Sequence, residues 1–116
     1  MRRVYLEIGA LFEEHWTGIP NVVAALAEFG LGDAAIDCRY IYDTIEVPRS
    51  VVVQFLQQRS GSGGLRTLAD LAWQRLEVSA ADAAESVCIF PNIKPIHRFF
   101  GKEAVIVHDL SPLFAP

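Results

Sequence analysis

Two runs of this chain, Ser86-Val87-Cys88-Ile89-Phe90 and Ala104-Val105-Ile106-Val107, are apolar at successive positions rather than at alternate ones. Side chains on a strand point to opposite faces in turn, so a strand written this way needs cover on both faces. That requirement argues against a sheet with one wet face. Val4-Tyr5-Leu6-Glu7-Ile8, ended by Gly9, and residues 35–42 read as two further strands, and 44–47 as a short one ended by Pro48. Helical segments lie between them. Ile19, Val22, Val23, Leu26 and Ala27 recur at the spacing of one helix face, with Thr17 as the expected N-cap, Pro20 early in the helix and Gly30 and Gly32 as its stop. Residues 50–59 read as a second helix with Val52, Phe55 and Leu56 inward, and 65–77 as a third. Ser79 followed by Asp82 predicts a short capped turn through Ala84. Strands alternating with helices imply an α/β domain, a three-layer Rossmann-like parallel sheet with helices on both faces.

The 116 residues suffice for one domain with one core. Hydrophobic residues make up 52% and charged residues 21%, a balance that fits strands buried on both faces or a surface that meets another domain. The net charge is −4 and no Lys/Arg cluster stands out, which argues against charge-driven binding to nucleic acid or to an anionic membrane. Cys38 and Cys88 each sit in a strand-like run and read as buried free thiols. With no signal peptide and no run long enough to span a bilayer, the expected compartment is the cytoplasm. Ser60-Gly61-Ser62-Gly63-Gly64 reads as a flexible surface linker, since it follows a helix and not a strand. Only residues 109–116 follow the last strand, so no helix is left to cover it, and the domain is expected to be incomplete.

In an open parallel sheet, ligands bind beyond the carboxyl ends of the strands where the strand order reverses. That rule gathers the 13–18 loop, Pro91-Asn92 and His108-Asp109. Thr17-Gly18 at a helix start is commonly a cap, but it also leaves backbone amides open to a phosphate. His108 and Asp109 can hydrogen-bond a sugar, or His108 can bond a nearby carbonyl in a structural role. Trp16 beside His15 offers a ring to a sugar or to the core edge. Glu13 and Glu14 read as an exposed charged loop and His97 as solvent-facing. No residue set has the spacing of a metal site.

Three of these segments resemble one family. Trp16-Thr17-Gly18-Ile19-Pro20-Asn21-Val22-Val23 resembles the first helix start of group 1 (family 4) glycosyltransferases. Ile89-Phe90-Pro91-Asn92 is similar to their fourth-strand ending, and Val105-Ile106-Val107-His108-Asp109-Leu110-Ser111-Pro112-Leu113 to their fifth. The order and spacing fit essentially the whole chain. The resemblance implies the truncated N-terminal, acceptor-side half of a GT-B enzyme whose donor-binding domain lies outside these residues. It implies transfer of a sugar from a nucleotide-sugar, with retention, to a glycan or lipid acceptor, with no cofactor and no metal. Gly18, with Thr17, would lie near the donor phosphates and His108 near the reacting centre. His15, Trp16, Asn92 and Asp109 would line the acceptor side. The half-domain alone would be inactive and prone to self-association, and the full-length enzyme would associate peripherally with membranes. Asn21 stands where the family pattern often has Arg.

The alternative is a stand-alone flavodoxin-like binding or interaction domain without catalysis. A dinucleotide-binding oxidoreductase lacks its main signal, because no Gly-x-Gly-x-x-Gly follows the first strand.

Overall fold

The computed structural model describes residues 2–73, 78–91 and 99–106. Five strands, β1 (Arg2–Glu7), β2 (Ile36–Tyr42), β3 (Ile45–Val47), β4 (Val87–Phe90) and β5 (Lys102–Val105), form one sheet in the order β3-β2-β1-β4-β5. β1, β2, β4 and β5 are mutually parallel. β3 is not: it returns antiparallel to β2, with Tyr42 opposite Ile45. The sheet is therefore mixed rather than wholly parallel. The reason lies in the connection, since Asp43-Thr44 is a hairpin turn and a parallel return needs a crossover of a dozen or so residues. Asp43 takes φ 57°, a left-handed conformation that a short polar side chain tolerates.

Helices cover both faces. α1 (Ile19–Gly32) and α2 (Arg49–Gln58) bury Val23, Ala24, Ala27, Val52 and Phe55 against Leu6, Cys38, Tyr40 and Val47. On the other face Tyr5, Ile41, Cys88 and Phe90 pack with Val78, Phe100 and Ala83, the last from α4 (Ala80–Ala84). Tyr5 and Leu6, and likewise Tyr40 and Ile41, enter different cores. That is why the strands read as continuous apolar runs. α3 (Gly64–Trp73) follows α2. Both cysteines are free and buried, and burial pushes the Cys38 thiol up from its ordinary range. Among the described residues no helix is long and apolar enough to cross a membrane.

α1 presents the expected face apart from Val22: Val23 and Ala27 are buried, and Ile19 and Leu26 pack against the core. Val22 points outward at 42% exposure and Phe29 at 67%, while Ala24 and Gly30 face the sheet. Small residues on that side let the helix approach closely. The Tyr40 hydroxyl donates to the Ala27 carbonyl at 2.9 Å, and a Cβ on Gly30 would lie 2.6 Å from the Cys38 sulfur. Gly30 is thus a packing position and not a stop. The helix runs on through Gly32 and closes at Asp33, whose side chain accepts from the Ala35 amide at 2.8 Å. Thr17 is not the N-cap either: Gly18 holds that position, with φ 54° and no side-chain bond.

α4 begins as expected. The Ser79 hydroxyl accepts from the Asp82 amide at 3.1 Å. A five-residue helix has few other sources of stability, so Ser79→Ala should cost about 1 kcal/mol in urea denaturation. No change would show that packing of Ala83 alone holds the turn.

β5 starts two residues before the expected run. Its register is set by β4, with Val87 opposite Lys102 and Phe90 opposite Val105. The preceding turn is held by Glu103, whose carboxylate accepts from the Phe99 and Phe100 amides at 3.0 and 3.1 Å. β5 lies at the sheet edge and is not buried on both faces, since Val105 is 46% exposed and Ile106 36%.

Candidate functional site

The chain leaves β1 to build β2 on one side and later β4 on the other, so the strand order reverses between β1 and β4. Leu6 and Ile89 are the last paired residues there, which puts the carboxyl ends of β1 and β4 side by side. This is where an α/β sheet offers its crevice. The loop from β1 to α1 borders it. That loop starts with a single 3-10 turn, Gly9–Phe12, then runs through Glu13, Glu14, His15, Trp16, Thr17 and Gly18.

Trp16 is half-buried and packs on the edge of the core. Its indole N–H donates to the Leu11 carbonyl at 3.2 Å, and its own carbonyl accepts from the Asn21 amide group at 3.3 Å. His15, Thr17 and Gly18 are exposed beside it, as are Glu13 and Glu14. A Cβ on Gly18 would meet nothing within 4 Å, so the space in front of this turn is open. The Asn21 and Val22 amides both turn back onto the Gly18 carbonyl, and Pro20 has no N–H. The first turn therefore offers a ligand only the Gly18 and Ile19 amides, fewer than a helix start without proline.

Residues 60–64 are not a free linker. Gly61 and Gly64 are buried, the Gly61 amide donates to the Glu13 carbonyl at 2.7 Å, and the Ser60 hydroxyl donates to the Glu14 carbonyl at 2.6 Å. Gly64 lies against Phe12 and Phe55. The connection between α2 and α3 thus clamps the β1–α1 loop from outside. Its first residue, Arg59, lays its guanidinium over the Trp16 ring at 5.2 Å from the centroid.

Glu7, the last residue of β1, had no role assigned from sequence. It is 9% exposed, and its carboxylate accepts from the Gly9 amide at 2.6 Å. Burial raises its pKa to about 7, helped by the negative charge of Asp43 and opposed by the Gly9 bond. A carboxyl group poised near neutrality at the carboxyl end of a central strand can hold or release a proton under ordinary conditions. One signal was available in the sequence. At strand periodicity Glu7 falls on the same face as Tyr5, and that face is a core.

His108, Asp109 and Asn92 lie outside the described residues, as does His97. Pro91, buried at the end of β4, borders the crevice. A groove of about 470 Å³ lined by Arg2, Arg3, Glu85, Ser86 and Lys102 sits at the opposite end, by the amino ends of the strands. Arg3 is already matched there by Asp37 at 3.5 Å and Asp82 at 3.7 Å. We place the candidate site at the carboxyl ends, where the strand order reverses, and not in that groove. No group of His, Cys, Asp and Glu suited to a metal ion occurs among the described residues. No family model, no curated protein and no solved structure matches the chain.

Proposed function

We propose that this chain is the acceptor-side half of a retaining GT-B glycosyltransferase that moves a sugar from a nucleotide-sugar to a glycan or lipid acceptor. One observation carries the reading. The Trp16-Thr17-Gly18-Ile19 turn, which resembles that family, opens α1, the first α-helix after β1, at the strand-order reversal, with open space before Gly18. The Gly18 and Ile19 amides, with Thr17 beside them, would meet the donor diphosphate. His15, Trp16, Asn92 and Asp109 would line the acceptor, and His108 would hydrogen-bond the donor sugar at the reacting centre. Charge developing on the leaving diphosphate would be met by these amides and by basic groups of a donor-binding domain, with neither metal nor cofactor. Nucleotide-sugars and many glycan precursors are cytoplasmic, and a lipid acceptor would bring the enzyme to a membrane surface.

A second reading, a binding domain without catalysis, draws on the outward Val22 and Phe29 of α1, which suit a protein contact or self-association. The full-length product of the reading frame, incubated with UDP-, GDP- and ADP-sugars, should release nucleoside diphosphate. His108→Ala should lower that rate about 100-fold with an unchanged circular dichroism spectrum. Release from none of the donors would sink the transferase reading and favour the binding domain.

A further inference from the structure

Arg59 is the C-cap of α2 and holds φ 54°, ψ 41°, a left-handed conformation in which glycine is the relaxed choice. Glycines follow nearby at 61, 63 and 64, yet this strained position carries the longest side chain available. That side chain is engaged on three sides. One guanidinium nitrogen donates to Glu28 at 3.1 Å, another to the Asn21 side-chain oxygen at 3.3 Å, and the planar group lies over Trp16. Asn21 passes the contact on, because its amide group holds the Trp16 carbonyl. The guanidinium is thus fastened to the ring of Trp16 directly and to its backbone through Asn21. The ion pair with Glu28 is exposed, so it does little for global stability. What the contacts do together is fix the turn that precedes the Gly18 and Ile19 amides.

We infer that Arg59 is the positioning residue of this crevice: it holds the Trp16 turn, and through it the amides that open α1, in one geometry for an anionic ligand of the nucleotide-sugar class. The ligand class rests on the transferase reading; the hold on Trp16 does not. Backbone strain at an exposed cap, kept by a residue whose side chain reaches across to another loop, is the pattern of a conformation maintained for the side chain's sake.

Arg59→Gly separates fold from function, since it relaxes the backbone while removing the guanidinium. In a Trp73→Phe background, where Trp16 is the remaining tryptophan, Arg59→Gly should hold or raise Tm and increase acrylamide quenching of Trp16. In the full-length product it should raise KM for the sugar nucleotide that the parent turns over by roughly 10-fold, with kcat little changed, as for a displaced binding group. Arg59→Lys should restore only part of this, because an ammonium cannot make the fork to Asn21 and Glu28. Unchanged quenching overturns the hold on Trp16. Increased quenching with unchanged KM overturns the positioning role, and a fall in Tm with KM and kcat lost together marks Arg59 as merely structural. If the parent turns over no sugar nucleotide, the transferase reading falls together with the ligand class, and the quenching result alone decides whether Arg59 positions the turn.

Discussion

Gly61→Ala is expected to destabilise the protein by about 3 kcal/mol, near the upper end of what overpacking usually costs. Gly61 is buried where the connection after α2 crosses the β1–α1 loop. A methyl group there would run into the Leu11 carbonyl oxygen and the Phe12 backbone. These are main-chain atoms that have no rotamer to change, so relief requires the two segments to part. Parting them stretches the Gly61–Glu13 bond at 2.7 Å and the neighbouring Ser60–Glu14 bond at 2.6 Å. It also loosens Phe12, which stacks edge-on with Phe55 and with Tyr42, each at 5.0 Å between centroids. Gly32→Ala is the matched control. A Cβ there meets nothing within 4 Å, and the residue ends a helix, so the change should stay within about 1 kcal/mol. Urea denaturation of the two variants decides it, and a Gly61→Ala loss below the control's range would mean that the clamp yields.

That position also shows what composition cannot say. A Ser/Gly run between helices reads as slack, because glycine is associated with conformational freedom. Gly61 is required instead for its missing side chain, and the partner backbone lies nearly fifty residues earlier in the chain. Hydropathy patterns carry no record of such a crossing. The outward turn of Val22 was hidden for a related reason. Val22 and Val23 are adjacent and equally apolar, so periodicity alone does not choose between them. The choice is made by Ala24, Ala27 and Gly30, whose small size lets Tyr40 reach the Ala27 carbonyl. Elements set by local signals were legible: strands apolar on both faces, the Ser79 cap, and the helix from about 50 to 59. β5 was found in the right region but two residues late, because hydropathy marks where side chains are apolar while pairing with β4 marks where the strand begins. Next to the candidate site the start of α1 was legible at Thr17-Gly18, although the cap is Gly18 and not Thr17. Arg59 was not, since nothing local ties residue 59 to residue 16, and Glu7 was legible only through its strand register with Tyr5, against the ordinary expectation that a charged residue at a strand end lies in water.

Glu7→Gln should make the protein more stable at pH 8 and leave it nearly unchanged at pH 4. The folded protein holds the Glu7 proton up to about 7, against an ordinary value of 4.5 for the free side chain. Between those values the folded state binds more protons than the unfolded one, so stability falls as pH rises through the window. The full penalty is reached above the folded value, where the ionised carboxylate sits buried at the end of β1. At about 1.4 kcal/mol per pH unit, the gap amounts to about 3 kcal/mol. Glutamine keeps an oxygen for the Gly9 amide and carries no charge, so it should recover most of that amount at pH 8 in thermal or urea unfolding. Equal destabilisation at both pH values would mean instead that the carboxylate is ionised throughout and matched by groups it faces. A recovery confined to high pH carries a further consequence. The native fold then tolerates a group that weakens it at neutral pH, at the strand-order reversal where a ligand would sit, although an amide of the same shape would be more stable. The reason for keeping a carboxyl there would have to lie in proton exchange or hydrogen bonding at the site and not in the stability of the sheet.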